Sequence, residues 1–379
     1  MGRLYDIALL GKPTTAQVEE VRADIAGAVA PYGLRLGVEI GWEVKPADEF
    51  FDEQRAAVAL YFGHDNPSEE GLSRITDLGI PVIPIVTTGD SIQDRLPKAL
   101  RHLNALDYGS MGPGRVAATA LESLGLLPRQ RRVFLSYRRN EARAAALQLY
   151  DELSSLVYEV FLDTHGIPPG ADFQSMLWHR LCDSDVLVML DTASYFESRW
   201  TAAEFGRALA KGIPVLRVGW PDATPSPRTG TCSHFDLATD DVDSSTGTLA
   251  ESVVGEACTR VERLRSRGHA IRRLNMISGI RGALEQVGGK LVAVGASGVA
   301  IGMLPDGAGI SIYPALGVPT SETLHRAESA ATGSVAVVFD HVGLLPEWLG
   351  HLDWLGARIP SPRWLKSSEL AWELAGWGT

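Results

Sequence analysis

The stretch DVLVMLDTASYFESRWTAAEFGRALAKGIPVLRVG, residues 185–219, changes periodicity twice. DVLVMLD is a short apolar run closed by acids, which reads as a buried strand. SRWTAAEFGRALAKG reads as a helix that stops at Gly212. IPVLRVG is a second buried strand. Strand, helix and strand in this order specify a parallel sheet with a crossover helix. Trp200 and Glu204 lie four residues apart near the start of that helix, about one turn, so an aromatic and an acid share one face.

The tail of the stretch, KGIPVLRVG, has an echo in LGIPVIPIV at residues 78–86. Upstream of that echo, DIALLG, LRLGVEIG, AAVALYFG and PVIPIV read as strands. TAQVEEVRADIAGAVAPYG between them has helical spacing at Val18, Val21, Ile25 and Val29, and SEEGLSRITDLG is a shorter helix. IQDRLPKALRHLNALDYG and RVAATALESLGLL follow the fourth strand. The pattern then restarts. RRVFLSYRRN is a strand, and EARAAALQLYDELSSL is an amphipathic helix with Ala144, Leu147, Leu149 and Leu153. YEVFLD is a strand, THGIPPGADF a turn-rich loop, and QSMLWHRLCDS a short helix leading into the opening stretch. A Pro/Thr/Ser/Asp-rich loop spans 221–247. A closing helix then lines up Leu249, Val253, Val254, Ala257, Val261 and Leu264. The same element order occurs twice, which reads as duplication of one fold. Residues 268–379 do not fit the repeat. They hold a helix over 271–287, strands in KLVAVG, VAIGML, ISIYPAL and VAVVFD, and a Trp-rich end.

Composition narrows the function classes. The net charge of -11 gives no basis for recruiting nucleic acid or an anionic membrane. Cys182, Cys232 and Cys258 have neither metal spacing nor a disulfide framework, so a reducing cytoplasm is expected. MGRLYDIALLGK is a poor signal peptide, and Asp6 stands where a myristoylation motif needs Ser or Thr. The longest apolar run, LVAVGASGVAIGML, has 14 residues, too short to span a bilayer. VGASGV around Ser297 approximates a nucleophile elbow, but Val299 replaces its second glycine. There is no Gly-x-Gly-x-x-Gly and no P-loop. DLATDDVDSS lacks the glycine and final glutamate of a calcium loop. Asp340, His341, His351 and Asp353 have no tight metal spacing, so no metal is expected.

VFLSYRR, FLDTHGIPPGADF, VLVMLDTASYFESRW and the Trp200/Glu204 pair occur in order at domain-like spacing. Together they resemble a Toll/interleukin-1 receptor (TIR) domain of the bacterial type, across about residues 131–267. The resemblance implies an α/β fold with a flavodoxin-like parallel sheet over 129–267. A similar TIR-like α/β domain over 1–128 precedes it, and a small α+β domain over 268–379 follows, with a sensing or assembly role. Trp200 and Glu204 match the Trp-x-x-x-Glu pair of NAD-cleaving TIR proteins. In the first unit Gly71 falls where Glu204 sits, and no such pair occurs, so that unit is expected to be non-catalytic.

By this resemblance Glu204 is the catalytic residue, and NAD is a substrate rather than a cofactor. Ser136, Tyr137, Arg138, Arg139, Asp163 and Trp200 are expected to bind NAD. Thr164, Pro168, Pro169, Gly170 and Asp172 belong to the loop after the second strand, through which TIR domains stack. The expected function is NAD hydrolysis or ADP-ribose cyclisation in bacterial anti-phage signalling. Oligomerisation, or an unidentified trigger ligand or protein, would switch it on, with no membrane or direct nucleic-acid partner. Two rivals share the fold: a non-enzymatic TIR adaptor, and a nucleoside deoxyribosyltransferase-like enzyme.

Overall fold

The computed structural model describes residues 3, 5–47, 50–51, 55–69, 71–72, 75, 78, 80–87, 89, 91–127, 130–162, 173–294, 299–329, 333–359 and 361–377. The chain forms two compact units, Met1–Arg129 and Gln130–Thr379.

The first unit is a parallel sheet of β1 (Tyr5–Gly11), β2 (Ile40–Val44), β3 (Ala56–Phe62), β4 (Val82–Val86) and β5 (Leu106–Asp107). Its order is β2-β1-β3-β4-β5. Helix α1 (Thr15–Val29) starts at a capping box in which Thr14 and Gln17 satisfy each other's backbone amides. It packs with α2 (Tyr108–Ser123) over one face through Val21, Ile25, Val116 and Leu121. LRLGVEIG is not one strand. Gly37 turns the chain at φ +84°, Glu39 takes the Arg35 amide and guanidinium, and pairing begins only at Ile40. The fifth strand has two residues, too few to show a period. Gly71 occupies a turn with φ +77°.

The second unit opens with β6 (Arg132–Ser136), β7 (Glu159–Leu162), β8 (Val186–Asp191), β9 (Val215–Gly219) and β10 (Ser233–Asp236), again all parallel. The order β10-β9-β8-β6-β7 repeats that of the first sheet, and it is the flavodoxin-like order. β10 lies inside the loop read over 221–247, where one short SHFD run is masked by Pro, Thr and Ser on both sides. Helix α3 (Arg139–Ser155) covers one face of this sheet. Helices α4 (Phe173–Cys182) and α5 (Arg199–Ala210) cover the other. Residues 163–172, and with them Asp163, Thr164, Pro168, Pro169, Gly170 and Asp172, lie outside the described residues.

A single helix, α6 (Glu251–Gln286), runs through the boundary that the sequence reading puts at residue 267. Gly268 sits mid-helix for a packing reason. A Cβ there would lie 2.4 Å from Cγ of Pro214. Val253, Val254, Ala257 and Val261 of α6 join the core of the second sheet; Ile277, Ile280 and Leu284 join a third. That third sheet is mixed. β11 (Lys290–Val294), β12 (Ala300–Met303) and β13 (Gly309–Ala315) are antiparallel, while β13, β14 (Ser334–Phe339) and β15 (Arg363–Lys366) are parallel. Its helices are α7 (Ser321–Ser329), α8 (Pro346–Gly356) and α9 (Leu370–Ala375). The third sheet meets the second at the edge where β8 and β9 begin. Asp183 accepts the Val318 amide at 2.8 Å, Lys211 pairs with Asp340 at 2.5 Å, and His179 Nδ1 accepts the Leu345 amide at 3.3 Å.

Candidate active site

The opposite edge of the second sheet, where its strands end, gathers polar side chains. Strand alternation sorts them. Val133, Leu135 and Tyr137 face the α3 side, whereas Phe134 and Ser136 face α4 and α5. Ser136 therefore ends β6 on the α5 side, beside the β6–β8 pair. That pair is the point where the sheet's winding reverses, and open α/β sheets bind ligands there.

Helix α5 begins at Ser198, whose side chain accepts the Thr201 amide. Its buried stripe is Thr201, Glu204, Phe205 and Ala208, the i, i+3, i+4, i+7 spacing of a core-facing helix. Glu204 is the charged member of that stripe and is 3% exposed. The stripe turns it toward the sheet. Ser136 Oγ donates to its Oε2 at 2.5 Å, and Tyr195 Oη lies 2.6 Å from the same Ser136 Oγ. Tyr195 opens the 3-10 turn Tyr195–Glu197 and is fully buried. Burial first, and then the Glu204 charge, push its phenol well above the ordinary value. Trp200, one turn before Glu204, is 39% exposed, with the Arg199 guanidinium 4.8 Å above its ring. The pair thus has one buried and one accessible member.

The other expected site residues divide. Tyr137 is buried in the core on the far face, away from Ser136 and Glu204. Arg138 is engaged by the Ser194 carbonyl at 2.7 Å, Glu197 at 3.2 Å and Glu141 at 3.5 Å. Burial works against the Glu141 charge. The Ser194 hydroxyl, which donates to Glu141 at 2.8 Å, and the nearby Arg138 charge help hold this carboxyl below its ordinary range. Arg139 is exposed in the first turn of α3.

Two features escaped the sequence reading. Tyr195 lies between a strand and a helix, where no periodicity marks it; its only sequence signal is the TASYFES run, which places adjacent aromatics straight after a buried strand. The second is Arg217, fully buried in β9, which donates to Asp191 at 2.5 Å and pairs with Asp236. Burial raises the Asp191 carboxyl against the pull of Arg217. Alternation along IPVLRVG already puts Arg217 on the inner side with Val215. Gly219 leaves room for the guanidinium, since a Cβ there would lie 2.7 Å from Arg217 Cζ.

Among the described residues, no group of three or more His, Cys, Asp or Glu is arranged to hold a metal ion. His351 stacks on Trp354 and meets Trp348 at a tilt, and Asp340 pairs with Lys211. No helix of the described residues is long and apolar enough to cross a membrane.

Residues 133–250 match the TIR domain family model, and this segment of the chain is a TIR domain. That assignment supports a TIR-family signalling or NADase role, and TIR domains generally self-associate. No curated protein is significantly similar to the chain. Solved structures give faint likenesses. Tagatose-6-phosphate ketose/aldose isomerase from Escherichia coli aligns at 12% identity over 73% of this chain and 83% of that one, with a TM-score of 0.20. NADPH-dependent glyoxylate/hydroxypyruvate reductase from Sinorhizobium meliloti aligns at 15% over 77% and 97%, also at 0.20. At such scores neither likeness bears on this chain's function.

Proposed function

We propose that the TIR domain cleaves NAD at the nicotinamide–ribose bond, with Glu204 as the catalytic carboxylate. The observation that carries this reading is the delivery of Glu204 by the buried stripe of α5 to the strand-end edge. There Ser136 hydrogen-bonds it beside the reversal point of the sheet. The bond from C1′ to the pyridinium nitrogen breaks heterolytically, and its electron pair neutralises the departing nicotinamide. The leaving group needs no proton, so one carboxylate suffices where glycosidases use two. The positive charge developing on the ribose about 4 Å from a carboxylate gains roughly 4 kcal/mol at an effective dielectric of about 20. That is about three decades in rate if wholly differential. Water or an adenine ring nitrogen then attacks C1′ and gives the linear or the cyclic product.

Trp200 supplies an accessible aromatic wall for ribose or base. Arg139, exposed in the first turn of α3, is assigned to the phosphates in this reading, and Arg138 serves the site by pinning the turn before Tyr195. Asp163 and the loop 164–172 enter as in the sequence reading. Stacked TIR domains complete each other's sites through that loop, and the flanking regions sense a trigger or drive assembly in anti-phage signalling. The test is purified protein incubated with NAD over a dilution series, with chromatography of the products and a parallel incubation with deoxynucleosides. Nicotinamide release that rises steeply with concentration supports the reading. Base exchange on deoxynucleosides supports the transferase instead.

One observation favours a second reading, a non-enzymatic TIR adaptor. Glu204 is buried, and with Ser136 it ties a helix to a strand, which is also what a structural pin does. On that reading Glu204→Gln lowers the melting temperature and no NAD is consumed by either protein.

A further inference from the structure

We propose that Tyr195 is a positioning residue of this site, acting through Ser136 to hold Oε2 of Glu204 in a three-member hydrogen-bond relay. The inference rests on the reading of Glu204 as the catalytic carboxylate. It begins from counting hydrogens. An ionised carboxylate only accepts, and a serine hydroxyl has one hydrogen and two lone pairs. Ser136 Oγ lies 2.5 Å from Glu204 Oε2 and 2.6 Å from Tyr195 Oη. Its single hydrogen goes to the carboxylate, so the tyrosine hydroxyl must supply the hydrogen between the two oxygens. The rival acceptor for that hydrogen is the Thr201 carbonyl at 3.5 Å, the outer limit for such a bond. The distances favour Ser136.

The donor is held from several sides. The Thr201 hydroxyl donates to the Tyr195 carbonyl, which fastens the turn to the first residues of α5. The Tyr195 ring meets Phe196 edge-on at 5.1 Å, and Phe196 meets Phe205 edge-on at 5.4 Å, next to Glu204. Arg138 anchors the preceding residue through the Ser194 carbonyl. The phenol oxygen is therefore fixed in place before any substrate arrives, and preorganised donors of this kind need no rearrangement during the reaction. A tyrosine serving only as core filler would need no partner beyond Thr201. The short contact to Ser136 gives the hydroxyl a direction, toward Glu204.

The experiment uses the full-length protein carrying Tyr195→Phe, which removes one oxygen, together with Ser136→Ala, Glu204→Gln and the pairwise combinations. Thermal melting of the Tyr195/Glu204 cycle decides the relay whether or not NAD is cleaved. The expected result is that Tyr195→Phe lowers the melting temperature of the wild type at least twice as much as that of Glu204→Gln. Strictly additive losses overturn the relay. Where the wild type cleaves NAD and Glu204→Gln does not, Tyr195→Phe is expected to lower kcat at least fivefold with KM within about twofold. It should cause no further loss in a Ser136→Ala protein. A Tyr195→Phe enzyme with wild-type kcat likewise overturns the relay while leaving Glu204 in its role. Absence of cleavage by the wild type under assembling conditions counts against the Glu204 reading alone, because the melting cycle still gives its own answer. If Tyr195→Phe does not fold, Ser136→Ala paired with Glu204→Gln gives the same cycle one link closer.

Discussion

The Arg138 guanidinium donates to the carbonyl of Ser194 at 2.7 Å, so a cation at the end of β6 is tied to the turn that follows β8. Glu141 and Glu197 flank the same guanidinium. A side chain engaged this way stiffens the turn and has little left for a phosphate. Arg138→Ala is expected to lower stability by about 1 kcal/mol, since Glu197 is largely exposed and its pairing counts for little. In NAD cleavage it should reduce kcat more than it raises KM, with Arg139→Ala doing the reverse. Equal KM changes in the two variants would return Arg138 to a direct role in binding.

Gly268 offers a test with an unusual sign. In an exposed helix interior, glycine to alanine gains about 1 kcal/mol. Here the new methyl would lie 2.4 Å from Cγ and 2.8 Å from Cδ of Pro214, and a proline ring has no softer rotamer to adopt. Overpacking of this kind costs about 1–3 kcal/mol. Gly268→Ala is therefore expected to lower the urea midpoint. An unchanged or higher midpoint would mean that α6 and β9 separate easily.

Glu262 is a single anion between two buried cations. Arg131 pairs with its Oε2, Tyr158 donates to the same oxygen at 2.8 Å, and Arg265, fully buried, approaches Oε1 at 3.4 Å. Arg265 also reaches Asp185 and the Gln130 carbonyl. Deleting the acid leaves Arg131 without this partner in a poorly solvated position. Glu262→Ala is expected to cost about 3–5 kcal/mol in equilibrium unfolding, far more than a comparable change at exposed Glu285.

Asp183 sets a pH dependence. Burial raises its carboxyl to about 6, against the nearby Arg132 charge and the Val318 amide. A carboxyl raised in the fold is bound to its proton more tightly there than in the unfolded chain. It therefore contributes stability that is present below the unfolded value and lost as pH rises through about 6. Burial lowers His179 and His269, which work in the opposite direction. The clean readout is thus a difference. The melting temperature of the wild type minus that of Asp183→Asn should fall between pH 4.5 and 7.5, corresponding to about 2 kcal/mol. A flat difference would place Asp183 in an ordinary aqueous setting.

Much of this was legible in the sequence because periodicity reports burial. The run VLVMLD announces a strand covered on both faces, and β8 is Val186–Asp191. The repeated strand–helix order around the two Ile-Pro-Val segments corresponds to two sheets of the same winding. Short or unpatterned elements escaped. β5 and β10 are too brief for alternation to register, and β15 is hidden among tryptophans. The role of Gly268 was not legible because local sequence cannot announce a proline approaching from another element. At the site, spacing placed Trp200 and Glu204 on neighbouring turns but not their depth, since depth depends on which stripe of α5 meets the sheet. Tyr195 and Ser136 are 59 residues apart and became partners only through the β6–β8 pairing.

Nicotinamide release decides whether Glu204 performs chemistry on NAD. The most direct measurement compares wild-type protein and Glu204→Gln, both at high concentration and both shown by melting to be folded, for nicotinamide release from NAD. The expected result is release by the wild type and at least a hundredfold less by the variant, with the two proteins eluting in the same assembly state. Equal release by the two folded proteins, or none by a wild type shown to be assembled, would contradict it.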